Sequence, residues 1–135
     1  MKKMLIVIVA VVVIAAAGVF VFLQMNSGDK PVPIVRVEYS PGEYFTTNVK
    51  NSKNNHILKA SIVLVVDKEG MDDTLKAENT KIRDTIIFIL RQLDEDAIKA
   101  EGNQEKLRAD IIKALNKALD IENFVEVRFN DFVMG

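Results

Sequence analysis

The sequence predicts an α+β domain behind a single membrane-crossing helix. Three features carry that reading: an unbroken apolar run near the N-terminus, a set of alternating apolar stretches, and two stretches with helical spacing. Lys2 and Lys3 are followed by 19 uncharged residues from Leu5 to Leu23. As a helix rising 1.5 Å per residue this run is roughly 28 Å long, close to the ~30 Å hydrocarbon core of a bilayer. Ala15-Ala16-Ala17 resembles the small-residue cleavage site of a secretory signal, but the apolar run continues through Val19 to Leu23, which a signal does not need. The expectation is therefore an uncleaved anchor. Lysines precede the span and the charges after it are mixed, so the N-terminus is expected in the cytoplasm and the remainder outside.

Residues 1–25 are read as a short cytoplasmic tail and span, 26–33 as a polar linker ending in Pro31-Val32-Pro33, and 34–135 as one folded unit. About 100 residues suffice for one hydrophobic core and not for two. The chain holds 18 basic and 19 acidic residues; without Lys2 and Lys3 the balance is 16 to 19, or −3. Such a surface does not attract a polyanion, so nucleic-acid binding is not expected. Cysteine is absent, which excludes disulfides, a thiol nucleophile and thiolate-bound metals.

Ile34–Tyr39 is expected as a strand, Ser40-Pro41-Gly42 as a chain-reversing turn, and Tyr44–Val49 as a second strand. Asn51–Asn55 is a loop by composition. Ile57–Asp67 is the strongest strand: Leu58, Ala60, Ile62, Leu64 and Val66 share one face, and Ile57, Val63 and Val65 lie on the other with Lys59 and Ser61. The three strands are expected to form an antiparallel meander. Ile82, Ile86, Leu90 and Leu93 then repeat at helical spacing from a Thr80 cap, with Ile89 widening the stripe. Leu107, Ile111, Leu115 and Leu119 do the same from an Asn103 cap, and Asp94-Glu95-Asp96 with Gly102 mark the connection. In the closing stretch Phe124–Val133, Val125, Val127, Phe129 and Val133 alternate with Glu126, Arg128 and Asn130, giving a half-buried strand.

Chemistry-bearing residues are sparse. His56, the one histidine, sits beside a polar loop without metal partners. Asp72-Asp73 and Asp94-Glu95-Asp96 lack the spacing of a calcium loop. Ser40, Ser52 and Ser61 lack a nucleophile-elbow setting, and no glycine-rich phosphate loop occurs. Phe45, Phe88, Phe124, Phe129 and Phe132 have no interleaved basic residues and read as core or interface. Arg83-Asp84 opens an otherwise apolar helix; Asp84 there suits the helix dipole, and Arg83 is expected to form a fixed ion pair within the fold or with a neighbouring copy. No catalytic group and no cofactor are expected.

One set of segments, in order, carries a resemblance: a basic start and anchor; Tyr39-Ser40-Pro41-Gly42-Glu43 and Phe45-Thr46-Thr47-Asn48-Val49; Leu58-Lys59-Ala60; Lys81-Ile82-Arg83-Asp84-Thr85-Ile86-Ile87; Gly102, Leu107-Arg108 and Leu115-Asn116; and Val125 to Val133. In these the chain resembles the flagellar basal-body-associated FliL family over essentially its whole length. The very short cytoplasmic tail is a departure. The resemblance implies a stomatin-type (SPFH-like) domain in an accessory protein of the flagellar motor, not an enzyme. It further implies a homo-oligomeric ring outside the cytoplasmic membrane, around the MotA/MotB stator units, that supports torque and swimming or swarming. The residues expected to matter for fold or assembly are Pro41, Gly42, Phe45, Lys59, Arg83, Asp84, Phe129 and Phe132. A different reading of the same residues is a membrane-anchored sensory domain with a ligand pocket between helices and sheet. A hydrolase would need a nucleophile–base pair that the sequence does not offer.

Overall fold

The computed structural model describes residues 2–27 and 34–135, so most of the expected linker lies outside the described residues. The chain falls into two units, residues 1–33 and 34–135. In the first, α1 runs Lys2–Ser27. Its stretch Lys2–Phe22 is long and apolar enough to cross a membrane, and none of it is buried within the protein. A helix of that length and composition fits a single membrane crossing, in which its backbone bonds are satisfied internally.

The second unit holds β1 (Val37–Tyr39), β2 (Phe45–Asn48), β3 (Ile57–Val66), α2 (Asp72–Ala77), α3 (Asn79–Leu90), α4 (Glu95–Lys99), α5 (Asn103–Leu119) and β4 (Phe124–Met134). It is an α+β domain with a small antiparallel sheet centred on β3, which pairs with β1, β2 and β4. Leu58, Ala60, Ile62, Leu64 and Val66 are each at most 1% exposed, as the period-two pattern demands. They meet Ile82, Ile86 and Leu90 of α3 and Leu107, Ile111 and Leu115 of α5 in one core. Each Leu, Ile or Val among them contributes roughly 1.5–3 kcal/mol through burial.

The first three strands are not a meander. β4 pairs with β3 from Leu58 to Val66 and so occupies one edge, leaving β1 and β2 to share the other. Both run antiparallel to β3, and Ser40-Pro41-Gly42 does not reverse the chain. Six positions separate Tyr39 from Phe45, whereas four separate their partners Leu64 and Ala60. The intervening segment is a two-residue bulge in one interrupted edge strand, a place where Pro and Gly are tolerated for want of ladder bonds.

β4 also departs from simple alternation. Its register shifts between the partners Ser61 and Ile62 and between Val65 and Val66, which leaves Asn130 and Val125 as the extra residues. Each bulge moves the side chains beyond it to the opposite face. Phe124, Val127, Phe129, Phe132 and Met134 therefore face the core, while Val125 and Val133 are 38% and 57% exposed. The short helices α2 and α4 were not expected. The acidic triplet makes α4, with Asp94 as its N-cap: Asp94 Oδ1 accepts from Ala97 N–H at 2.8 Å. Neither expected cap of the long helices acts as one. Thr80 lies inside α3, and Asn103 is the first residue of α5, its amide donating instead to the Ala97 carbonyl at 2.6 Å.

Candidate assembly and latch residues

Four of the eight expected residues converge on the bulge between β1 and β2. Pro41 is buried and leaves its carbonyl without a ladder partner, and Tyr44 does likewise. Arg83, one turn into α3, supplies the donors: Nη1 to Pro41 O at 3.1 Å and Nη2 to Tyr44 O at 3.0 Å. Its guanidinium also lies over the Phe45 ring, 4.2 Å from the centroid, an arrangement that adds cation–π attraction. Asn79 donates to Pro41 O at 3.2 Å and accepts from Tyr39 Oη at 2.6 Å. Burial pushes the Tyr39 hydroxyl pKa up, with Asp72 adding to the effect and Lys76 opposing it. Arg83 thus bonds backbone carbonyls, not a carboxylate, and the expected ion pair is absent among the described residues of the fold. A planar fork with parallel donors matches two neighbouring carbonyls, as a lysine ammonium does not.

Gly42 has φ of +143°, and a Cβ there would overlap Arg83 Nη1. Both the backbone and the space require glycine. Asp84, in contrast, is exposed and sits in the second turn of α3, beyond the reach of the dipole effect proposed for it.

Lys59 stands on the sheet face away from the helices, its ammonium 4.0 Å from the Tyr44 ring centroid. Phe129 and Phe132 pack at 5.1 Å between centroids, with Arg108 of α5 over Phe129 at 5.2 Å. On the outward face Arg128 bridges Glu38 at 2.6 Å and Glu126 at 3.0 Å, and Arg36 adds a bond to Glu126 at 3.4 Å. The Arg128–Glu38 and Arg36–Glu126 pairs flank Val65, which is fully buried. The Arg128 contact holds the Glu126 carboxyl below its usual range.

Sequence reasoning missed a second cluster. Ser52 Oγ donates to Glu95 Oε1 at 2.7 Å and accepts His56 N–H at 3.0 Å, and His56 Nδ1 stands 3.0 Å from the same carboxylate oxygen. The four-residue spacing of Ser52 and His56 in a loop gave no hint of Glu95. Although the trio has the residue types of a catalytic triad, the hydroxyl bonds the carboxylate and not the imidazole, so nothing activates it. Its effect is to tie the β2–β3 loop to α4, together with Lys50 N–H bonded to Leu93 O at 2.9 Å. The described residues hold no group of three or more His, Asp or Glu side chains able to bind a metal.

The remaining distinctive surface is apolar. Phe88 is 68% exposed and borders a cleft of about 470 Å³ between α3, α4 and α5, floored by Ile89, Leu93, Leu107 and Ala114. Open and shallow, it has no converging buried polar groups of the kind that orient a small ligand.

Residues 39–134 match the family described as flagellar basal body-associated protein FliL. The chain belongs to the FliL family. The match begins at Tyr39 and ends at Met134, so it takes in the latch that Arg83 forms on the Pro41 and Tyr44 carbonyls, both long helices and all of β4. No curated protein matches the chain. As a FliL protein it is associated with the flagellar basal body, and its apolar N-terminal helix fits a single-pass membrane protein.

Proposed function

We propose that this FliL protein is a non-enzymatic scaffold that assembles as a homo-oligomeric ring at the flagellar base, beside the MotA/MotB stator units, and supports torque for swimming. Residues 1–25 serve as cytoplasmic tail and membrane anchor, 26–33 as linker, and 34–135 as the domain outside the cytoplasmic membrane. The observation that carries this reading is the family match over residues 39–134, nearly all of the folded unit, in a chain whose described residues also include an apolar helix long enough to cross a membrane. A stomatin-type arrangement accords with a small sheet backed by two long helices.

Tethering favours this role physically. Copies confined to one bilayer meet at high effective concentration, so contacts too weak to hold free domains together suffice. Heterologous contacts related by rotation about the membrane normal close into a ring. The edge strand β1/β2 is an unsuitable seam, because Arg83 already occupies the Pro41 and Tyr44 carbonyls and Leu93 occupies the Lys50 amide. Affinity capture of the tagged full chain from membranes of flagellated cells tests the partner assignment. Stator subunits are expected in the eluate; their absence, with other basal-body proteins present, would refute the stator role.

A further inference from the structure

The helix layer and the open sheet face of the domain carry complementary features: an exposed aromatic ring beside an acid on one, and exposed apolar groups around a base on the other. On α3, Phe88 and Asp84 are four residues apart and so lie on one face. That face points away from the sheet, since Ile82, Ile86 and Leu90 take the inward side. Phe88 is 68% exposed, and Asp84 has no cationic partner within 4.0 Å among the described residues. On the opposite side of the domain, the sheet face away from the helices shows Tyr44, Ile57 and Val133 at 42%, 45% and 57% exposure. Lys59 sits among them, directly across from Val133 in the β3–β4 register, and likewise has no carboxylate partner among the described residues.

We infer that the α3 face of one copy seats on the outer sheet face of the next. Phe88 enters the Tyr44–Ile57–Val133 patch, and Asp84 pairs with Lys59. The occupant of each patch is thus a second copy of this chain. Charge complementarity supports this: one patch is an aromatic knob with an unpaired anion, the other an apolar surface with an unpaired cation. The two patches lie on opposite layers, so each copy uses both, and the contact is heterologous and propagates. Exposed apolar groups next to an unpaired charge are what an interface leaves on a lone subunit. The inference rests on the ring reading above and names its seam.

Because the chain contains no cysteine, introduced thiols report unambiguously. The full-length double variant Phe88→Cys/Val133→Cys, in native membranes, is treated with a short bismaleimide. A ladder of covalent dimers, trimers and higher species is expected, with each single variant staying monomeric and the two singles co-expressed giving dimers only. Dimers from Phe88→Cys alone would mean a two-fold contact and overturn the inference. No ladder, while detergent-extracted protein is oligomeric by light scattering, overturns the seam and leaves the ring. No ladder, with the unsubstituted chain also monomeric in extracts and membranes, overturns both. In the same background Lys59→Glu or Asp84→Lys should cut the ladder at least fivefold, and the two together should restore it to within about twofold. Failure of the pair to rescue refutes the ion pair specifically.

Discussion

Replacing Gly42 with alanine has two separable costs. The left-handed φ of +143° is strained for any residue with a Cβ, which costs about 1 kcal/mol or somewhat more. The new methyl group must also expel the Arg83 guanidinium, whose Nη1 it would overlap and whose Cζ it would approach to 3.3 Å. Expulsion forfeits the bonds to Pro41 O and Tyr44 O, each worth about 1 kcal/mol at a partly exposed site. Gly42→Ala is therefore expected to cost about 3 kcal/mol, and Arg83→Ala about 2 kcal/mol. With Arg83 already gone, only the backbone strain of Gly42→Ala remains. The double variant should then cost about 3 kcal/mol instead of about 5, a coupling near 2 kcal/mol. Unfolding of the detergent-solubilised full chain by urea measures this, and tyrosine fluorescence is a direct probe. The only two tyrosines, Tyr39 and Tyr44, flank the bulge, and the chain has no tryptophan. Additive single costs would refute the latch, since they would show that the alanine methyl group and the guanidinium do not compete for space.

Further outcomes follow from other contacts. Asn116 of α5 donates to Phe124 O and accepts from Phe124 N–H, both at 3.0 Å; Asn116→Ala strands both buried groups and should cost about 2–4 kcal/mol by urea unfolding. Thr47 Oγ1 is buried without a partner, so Thr47→Val, near in shape, should stabilise by about 1 kcal/mol, seen as a raised Tm. The Ser52 hydroxyl bond, with His56 and Lys99 assisting, holds the Glu95 carboxyl below the usual 4.5. A depressed carboxylate stabilises above its unfolded value and loses that contribution as pH falls through its folded value. The stability gap between wild type and Glu95→Gln should accordingly shrink as pH falls below about 4.5; a gap that keeps widening through that range would refute the assignment.

The parts of the fold legible in the sequence are those with long, regular periods. β3 alternates over ten residues, and the stripes of α3 and α5 repeat over three turns or more, so burial follows from spacing alone. Bulges defeat this reasoning, because one or two extra residues leave composition unchanged yet alter register. Pro41 and Gly42 suit a reversing turn and a bulge equally, and only the pairing of both flanking strands with β3 decides between them. In β4 the apparent alternation of Val125 with Val133 ignores two such insertions, and both valines end up exposed. The sequence singled out Arg83 but not its partners, the Pro41 and Tyr44 carbonyls. Backbone carbonyls freed by a bulge leave no mark on a sequence, whereas an acidic neighbour such as Asp84 suggests an ion pair that does not form. The Ser52–His56–Glu95 cluster was illegible for a related reason: Glu95 lies about 40 positions away and arrives there on a helix, α4, too short to show a period.

The claim that most needs a direct measurement is that many tethered copies gather at each flagellar base. Stepwise photobleaching of a functional fluorescent fusion, expressed at native level, counts them at single motors. The account requires foci coincident with flagellar bases that bleach in several steps. Single-step spots diffusing over the whole membrane would contradict it.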